Sequence, residues 1–204
     1  EQISSTTDLQ SIYVEPNRYE VVDGVAIRRD TSAAFGMEDA NALLAHLGED
    51  VEGAFMQNRG VEVERDTLRT AARLTAAEAV LWEMQEPEMV AGRLLSSGDT
   101  ASVVVSTTLA ERLGGNEEAL GQRITVDGTD VDIVGVIDNG DNASVFALWA
   151  LSSPEAGSPS MVINVMQAED VAATTDRIKA WMDSETAQGS AGFSIATDQM
   201  RSEQ

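Results

Sequence analysis

The sequence predicts an α+β fold in two lobes, one of them assembled from both ends of the chain. Three observations predict it. A strand, a helix and a second strand follow one another within residues 9–56, and the same order returns within 161–197. Between them, Gly92–Val136 reads as a self-contained strand, helix and hairpin. Cuts near residues 65 and 154 then divide the chain into a discontinuous split βαβ lobe, 1–65 with 155–204, and an inserted small α/β lobe, 66–154.

Residues 1–8 are polar and lead in. Leu9–Val14 is a first strand with Ile12 and Val14 on one face, and Pro16 ends it because proline has no amide hydrogen for a ladder. Tyr19–Ile27 alternates about Asp23-Gly24, a pair that accepts the backbone of a tight hairpin turn. Glu38 and Asp39 open a helix whose Ala40, Leu43, Leu44 and Leu47 recur at helical spacing, and Gly48 stops it. Val51–Val63 is extended, with Asn58-Arg59-Gly60 as a turn or bulge. Leu68–Leu74 is a strand, and Thr75 caps a helix carrying Ala79, Leu81, Trp82 and Met84 that Pro87 ends.

Gly92-Arg93 leads into a polar turn, Ser96–Thr100, and Val103–Val105 is a short strand. In the helix that follows, Thr108 and Glu111 stand at capping-box spacing, Leu109 and Leu113 share a face, and Gly114-Gly115 end it. Ile124–Val126 and Val131–Ile137 make a hairpin about Asp127-Gly128. Asp138–Ser144 is a loop, Val145–Leu151 an apolar strand, and 152–160 a second loop rich in breakers. Met161–Met166 is a strand, with both methionines read as core. Glu169 and Asp170 open a helix with Val171, Thr175, Ile178 and Met182 on one face, and Arg177 and Lys179 lie late in it, as the helix dipole favours. A turn at Gly189–Gly192 precedes a last strand, Phe193–Thr197. The connectivity of a split βαβ pair places both termini at one end and the middle lobe at the other.

Composition bounds the function. The 204 residues include 35 acids and 13 bases, a net charge of −22. Such a surface repels phosphate backbones and anionic headgroups, so nucleic-acid binding is excluded. With no cysteine, disulfides, thiolate catalysis and cysteine zinc sites are excluded too. His46 is the only histidine, which rules out an imidazole metal site, and its place near a helix C-terminus suits a dipole role rather than a base. Asp127, Asp130, Asp132, Asp138 and Asp141 cluster in sequence, but their spacing fits no EF-hand. They read as solvated strand and turn carboxylates, with weak calcium binding as the alternative. There is no nucleophile elbow, dinucleotide turn or phosphate loop. No catalytic residue, cofactor or metal ligand is therefore assigned. Phe146 and Trp149, within the apolar run Val145–Leu151, read first as core and second as a patch that meets a partner.

The order of motifs adds a resemblance. GRLL with Asp99 after it, then VVVSTTLAERL, LGQRITVDG and VDIVGVI run in one order over about forty-five residues, Gly92–Val136. This resembles the periplasmic core domain of MacB-type ABC transporter permeases, in the FtsX/MacB superfamily. The resemblance implies a porter-like, ferredoxin-like lobe from the chain ends and a sabre-like lobe from the middle. It implies a non-catalytic extracytoplasmic domain, on the outer face of a bacterial membrane, that couples ATP-driven motion to handling of a substrate or partner. It also implies a separate ATPase subunit or domain, an adaptor or other outside partner, a dimer of permeases, and membrane spans on both sides of this stretch. The stretch 18–29 falls outside the pattern and reads as an insertion. A stand-alone secreted or surface binding module is the alternative, and an enzyme using a carboxylate pair is the third class.

Overall fold

Alternating burial makes the first strand, and glycine-containing turns shape the segments after it. The structure, a computed structural model, describes residues 11–17, 19–28, 36–85, 87–153, 159–186 and 189–197. Leu9, residues 154–158 of the second loop and both chain ends, expected at one end of the molecule, lie outside the described residues. Strand β1, Ser11–Pro16, buries Ile12 and Val14. Strands β2, Tyr19–Val22, and β3, Val25–Arg28, form a separate hairpin about Asp23 (φ 51°) and Gly24 (φ 80°). Two left-handed residues in a row match the twist of a two-residue hairpin. Helix α1, Met37–Leu47, starts at Gly36, whose amide donates to Asp39 at 3.0 Å, and buries Ala40, Leu43 and Leu47 before Gly48 ends it.

Strands β4, Val51–Arg65, and β5, Leu68–Ala77, pair without interruption from Met56↔Ala77 to Arg65↔Leu68. Asn58-Arg59-Gly60 is therefore no turn: it stays in the ladder opposite Thr75, Leu74 and Arg73, and the chain reverses after Arg65, where Asp66 takes φ 53°. Thr75 likewise caps no helix. Its hydroxyl donates to Asn58 Oδ1 at 2.6 Å across the ladder. A cross-strand partner, which a local pattern cannot show, overrides capping propensity. The helix α2, Ala79–Gln85, starts later and buries Leu81 and Trp82.

Strand β6, Met89–Gly92, leads through the polar turn to β7, Ser102–Ser106, and directly into α3, Thr107–Arg112. The cap is Ser106, whose Oγ accepts from the Leu109 amide at 3.3 Å, so the expected Thr108/Glu111 box does not form. One residue ends the strand and caps the helix, which moves the cap two positions earlier. Gly114 and Gly115 end α3 at φ 119° and 116°, and Gly115 opens the short α4, Asn116–Ala119. Strands β8, Arg123–Val126, and β9, Thr129–Ile137, turn at Asp127 (φ 50°) and Gly128 (φ 83°). Strand β10 is Ser144–Leu148, and Trp149–Leu151, expected to continue it, instead winds into a 3₁₀ turn. Strand β11 is Ser160–Val165, helix α5 is Val171–Glu185, and strand β12 is Phe193–Thr197. Met161 is 1% exposed but Met166 is 57% exposed, outside the core that the sequence assigned it. Residues an odd number apart on an extended chain point to opposite faces.

The chain divides into two compact units, Glu1–Phe55 with Gly157–Gln204, and Met56–Ala156. In the first, the strand order is β12-β1-β11-β4, with β1 antiparallel to both β11 and β12. Helices α1 and α5 pack on each other, and α5 also packs on β1 and β12. Ile12, Val14, Leu43, Met161, Ile163, Ile178 and Met182 are all buried there. Arg177 of α5 donates to the carbonyls of His46 (2.8 Å) and Leu47 (3.3 Å), placing a cation at the negative end of α1.

In the second unit the pairings close on themselves. Strands β4, β5, β10, β7, β9 and β8 are neighbours in that order, and β8 returns to β4 through Val63↔Val126 and Glu64↔Thr125. The result is a small closed barrel with β6 added on β9, and closure leaves those strands few free edges. Val63, Leu74, Val105, Leu109, Ile124, Ile133 and Val145 fill it. Each such side chain contributes roughly 1.5–3 kcal/mol on burial. Exposed ion pairs such as Arg123–Asp132 are screened by solvent and add little, so the apolar core dominates stability.

Candidate functional site

The acidic cluster does not converge. Asp127 pairs with Arg59 at 2.9 Å, Asp132 with Arg123 at 3.1 Å, and Asp130 accepts from the Thr125 hydroxyl at 2.8 Å. Asp138 accepts from the Gly140 amide at 3.0 Å. Three of these carboxylates are satisfied along their own strand pair or turn, and Asp127 by Arg59 of β4. Among the described residues, no group of three His, Cys, Asp or Glu side chains is placed to hold a metal ion. His46 is exposed on α1.

The turn after β6 is the most strongly organised charged feature. Arg93 makes a fork onto Asp99, with Nη1–Oδ2 at 2.7 Å and Nη2–Oδ1 at 2.9 Å. Asp99 Oδ2 also accepts from the Ser96 amide (2.8 Å) and hydroxyl (3.0 Å). The Arg93 guanidinium and the Ser96 amide both favour the ionised form, so the Asp99 carboxyl titrates well below the ordinary carboxylate range. Arg69 bridges Glu62 and Glu64 across the β4–β5 ladder, which raises its already high pKa. Asp183 is held low by the Ser190 amide, 2.7 Å from Oδ1. These are charge-assisted bonds within turns, a ladder and a helix end.

The aromatic pair singled out by the sequence is split in role. Phe146 of β10 is half-buried and meets Trp82 of α2 edge to face, with ring centroids 5.4 Å apart and planes at 80°. Trp82 Nε1 donates to the Ala147 carbonyl at 3.3 Å, fixing α2 against β10. Trp149, in the 3₁₀ turn beyond, is also half-buried. A run of exposed apolar side chains lies elsewhere, on the β2–β3 hairpin: Tyr19, Val21, Val22, Val25 and Ile27 range from 43% to 73% exposed.

Gly92 and Gly135 explain two further landmarks. They are register partners of β6 and β9. A side chain on Gly92 would run into the Val134 carbonyl, and one on Gly135 into the Arg93 carbonyl. Only glycine allows the two backbones to approach so closely.

The family described as the MacB-like periplasmic core domain matches residues 1–181. The chain belongs to that family. MacB-like core domains are extracytoplasmic parts of ABC transporter permeases. The chain is also similar to the crystal structure of the periplasmic region of MacB from Actinobacillus actinomycetemcomitans. The TM-score is 0.75 at 14% identity, over 96% of this chain and 92% of that one. A second similar structure is the extracellular domain of the noncanonic ABC-type transporter YknZ from Gram-positive bacteria. There the TM-score is 0.70 at 14% identity, over 92% of this chain and all (100%) of that one. No curated protein matches the sequence. Both structures share the mixed α/β fold. No helix among the described residues of this MacB-like domain is long and apolar enough to cross a membrane.

The landmarks that carried the resemblance thus have structural roles in this MacB-like domain. Gly92 and Gly135 let β6 meet β9, Arg93 and Asp99 lock the turn, and Asp127-Gly128 makes the hairpin. Sequence reasoning missed Gln57, a buried glutamine whose side chain grips the backbone of Ser153. Its signal is faint, a single amide in an extended stretch, and only the tertiary pairing reveals it.

Proposed function

We propose that this chain is a non-catalytic extracytoplasmic domain that couples ATP-driven motion of a MacB-like permease to a substrate or partner protein outside the membrane. The observation that carries the proposal is the family match over residues 1–181. The strand order β12-β1-β11-β4, with a helix between each pair joined in sequence, supports reading the chain-end unit as the porter-like, ferredoxin-like lobe. The barrel of Met56–Ala156 is then the sabre-like lobe. Side chains committed to turns, caps and ladders support a mechanical rather than a chemical role.

In this reading a separate ATPase subunit or domain supplies the energy, two permeases act as a dimer, and both chain ends lead toward the membrane. Phe146 and Trp149 are the proposed contact with an adaptor or other outside partner. The test is reconstitution of the whole permease with its ATPase, with and without residues 1–204. Removal of the domain should leave basal ATP hydrolysis in place and abolish transport. Unchanged transport without it, or catalytic turnover by the isolated chain, contradicts the proposal.

A further inference from the structure

The loop between β9 and β10 carries Asn139-Gly140, the one place in the sequence where glycine follows asparagine. A glycine amide has no side chain beside it, so its nitrogen can reach the carboxamide carbon of the residue before. Asn41, Asn58, Asn116 and Asn164 lie within helices or strands, where the backbone is fixed in helical or extended dihedral angles. Asn139 instead is exposed in the loop, followed by Gly140 at φ 60°. Two hydrogen bonds hold the groups that would react. The Gly140 amide donates to Asp138 Oδ1 at 3.0 Å, and Asn139 Nδ2 donates to Ser144 Oγ at 3.0 Å. Ser144 is a fixed anchor: it is 4% exposed, and its own amide donates to Ser106 Oγ at 2.9 Å.

We propose that Asn139 is a latent deamidation site, restrained by Ser144 and Asp138. Hydroxide removes the Gly140 amide proton, and the nitrogen attacks Asn139 Cγ. The N–Cγ bond forms, the Cγ–Nδ2 bond breaks, and ammonia leaves after taking a proton from water. Water then opens the cyclic imide at either carbonyl, giving aspartate or isoaspartate. Ser144 opposes this by holding the carboxamide in place. Asp138 opposes it by setting a negative charge against an amide that must itself become an anion. The product adds one negative charge between Asp138 and Asp141, in a chain already at −22. The site lies within the Met56–Ala156 unit and is independent of the permease reading.

The test incubates the 204-residue chain at neutral and mildly alkaline pH and follows each asparagine by mass spectrometry of proteolytic fragments. The mass gain of amide-to-acid conversion, with isoaspartate, should collect at residue 139 and faster at the higher pH. Asn142 in the same loop is followed by Ala143 and is the internal reference. Asn139→Gln should abolish the conversion, because its ring closes less readily. Ser144→Ala and Asp138→Ala keep Asn139-Gly140 and should each speed it by about fivefold, the effect of one typical hydrogen bond. Unfolding of a variant would show as faster conversion at Asn142 as well. Asn139 intact throughout, or converting no faster than Asn142, overturns the site. Equal rates at Asn139 in the unaltered chain and both variants overturn the restraint.

Discussion

Gly92 and Gly135 face each other across β6 and β9. A methyl on Gly92 would also lie 2.9 Å from the Gly135 Cα and 2.7 Å from Leu120, and Gly92 holds φ 70°. Most of what it would strike is main chain, which cannot swing aside. Gly92→Ala and Gly135→Ala should each destabilise the domain by at least about 2 kcal/mol. For a chain of this size that lowers Tm by at least about 4 °C. Gly60→Ala is the control: nothing lies within 4 Å of the added carbon and Gly60 sits in a regular ladder, so its Tm should hold or rise slightly. Equal losses for all three variants would show that close approach is not the cause.

Ser106 is fully buried, and its Oγ accepts from both the Leu109 amide (3.3 Å) and the Ser144 amide (2.9 Å). Ser106→Ala should cost about 1–3 kcal/mol, since two buried amides lose their acceptor. Thr108→Ala removes only an exposed bond to the Gly140 carbonyl and should stay within about 0.5 kcal/mol. Urea denaturation of the two variants checks the order, and the reverse order would restore Thr108 as the cap.

Asp99 gives the pH dependence a sign. Its folded-state pKa lies below the ordinary carboxylate value, so the unfolded chain binds the proton more tightly. The stabilisation is complete above about pH 5, where even the unfolded carboxyl is ionised, and fades as pH falls through the ordinary value of about 3.9 toward the folded one. Asp183, also lowered, acts in the same direction. Asp99→Asn should lower Tm at pH 7 and flatten its decline between pH 5 and pH 3. A decline as steep as that of the unaltered domain would remove Asp99 from the acid limb.

The 35 acids outnumber the 13 bases, a net charge of −22. Self-repulsion between exposed acids is screened over about 10 Å at 0.1 M salt. Tm should therefore rise between low salt and about 0.15 M sodium chloride. A flat or falling curve would mean that local arginine bridges such as Arg69 to Glu62 and Glu64 already balance the repulsion.

What the sequence made legible was local. Asp23-Gly24 and Asp127-Gly128 each required two positive φ angles, which few other pairs accept, and both hairpins arise from them. Leu43 and Leu47 on α1, and Ile178 and Met182 on α5, could be placed by spacing alone. The errors arose where a distant partner decides. Thr75 is a competent cap, yet Asn58 claims its hydroxyl. Gly60 suggests a turn, yet Arg73 holds it in a ladder. Barrel closure by Val63 and Val126 joins residues far apart in sequence, and no local periodicity encodes it. The Gln57 grip on Ser153 was hidden for the same reason. The motif order Gly92–Val136 pointed to the family because its glycines, arginine and turn residues meet fixed backbone demands rather than substrate.

The most direct measurement follows the domain in the working transporter. A spin label at Ala173→Cys, exposed on α5, is placed in each copy of the proposed permease dimer together with its ATPase. The distance between the two labels should differ between the nucleotide-free and ATP-trapped states, and the difference should vanish when the ATPase is inactivated. The same distance distribution in every nucleotide state, alongside normal ATP turnover and transport, would contradict a mechanical role for the domain.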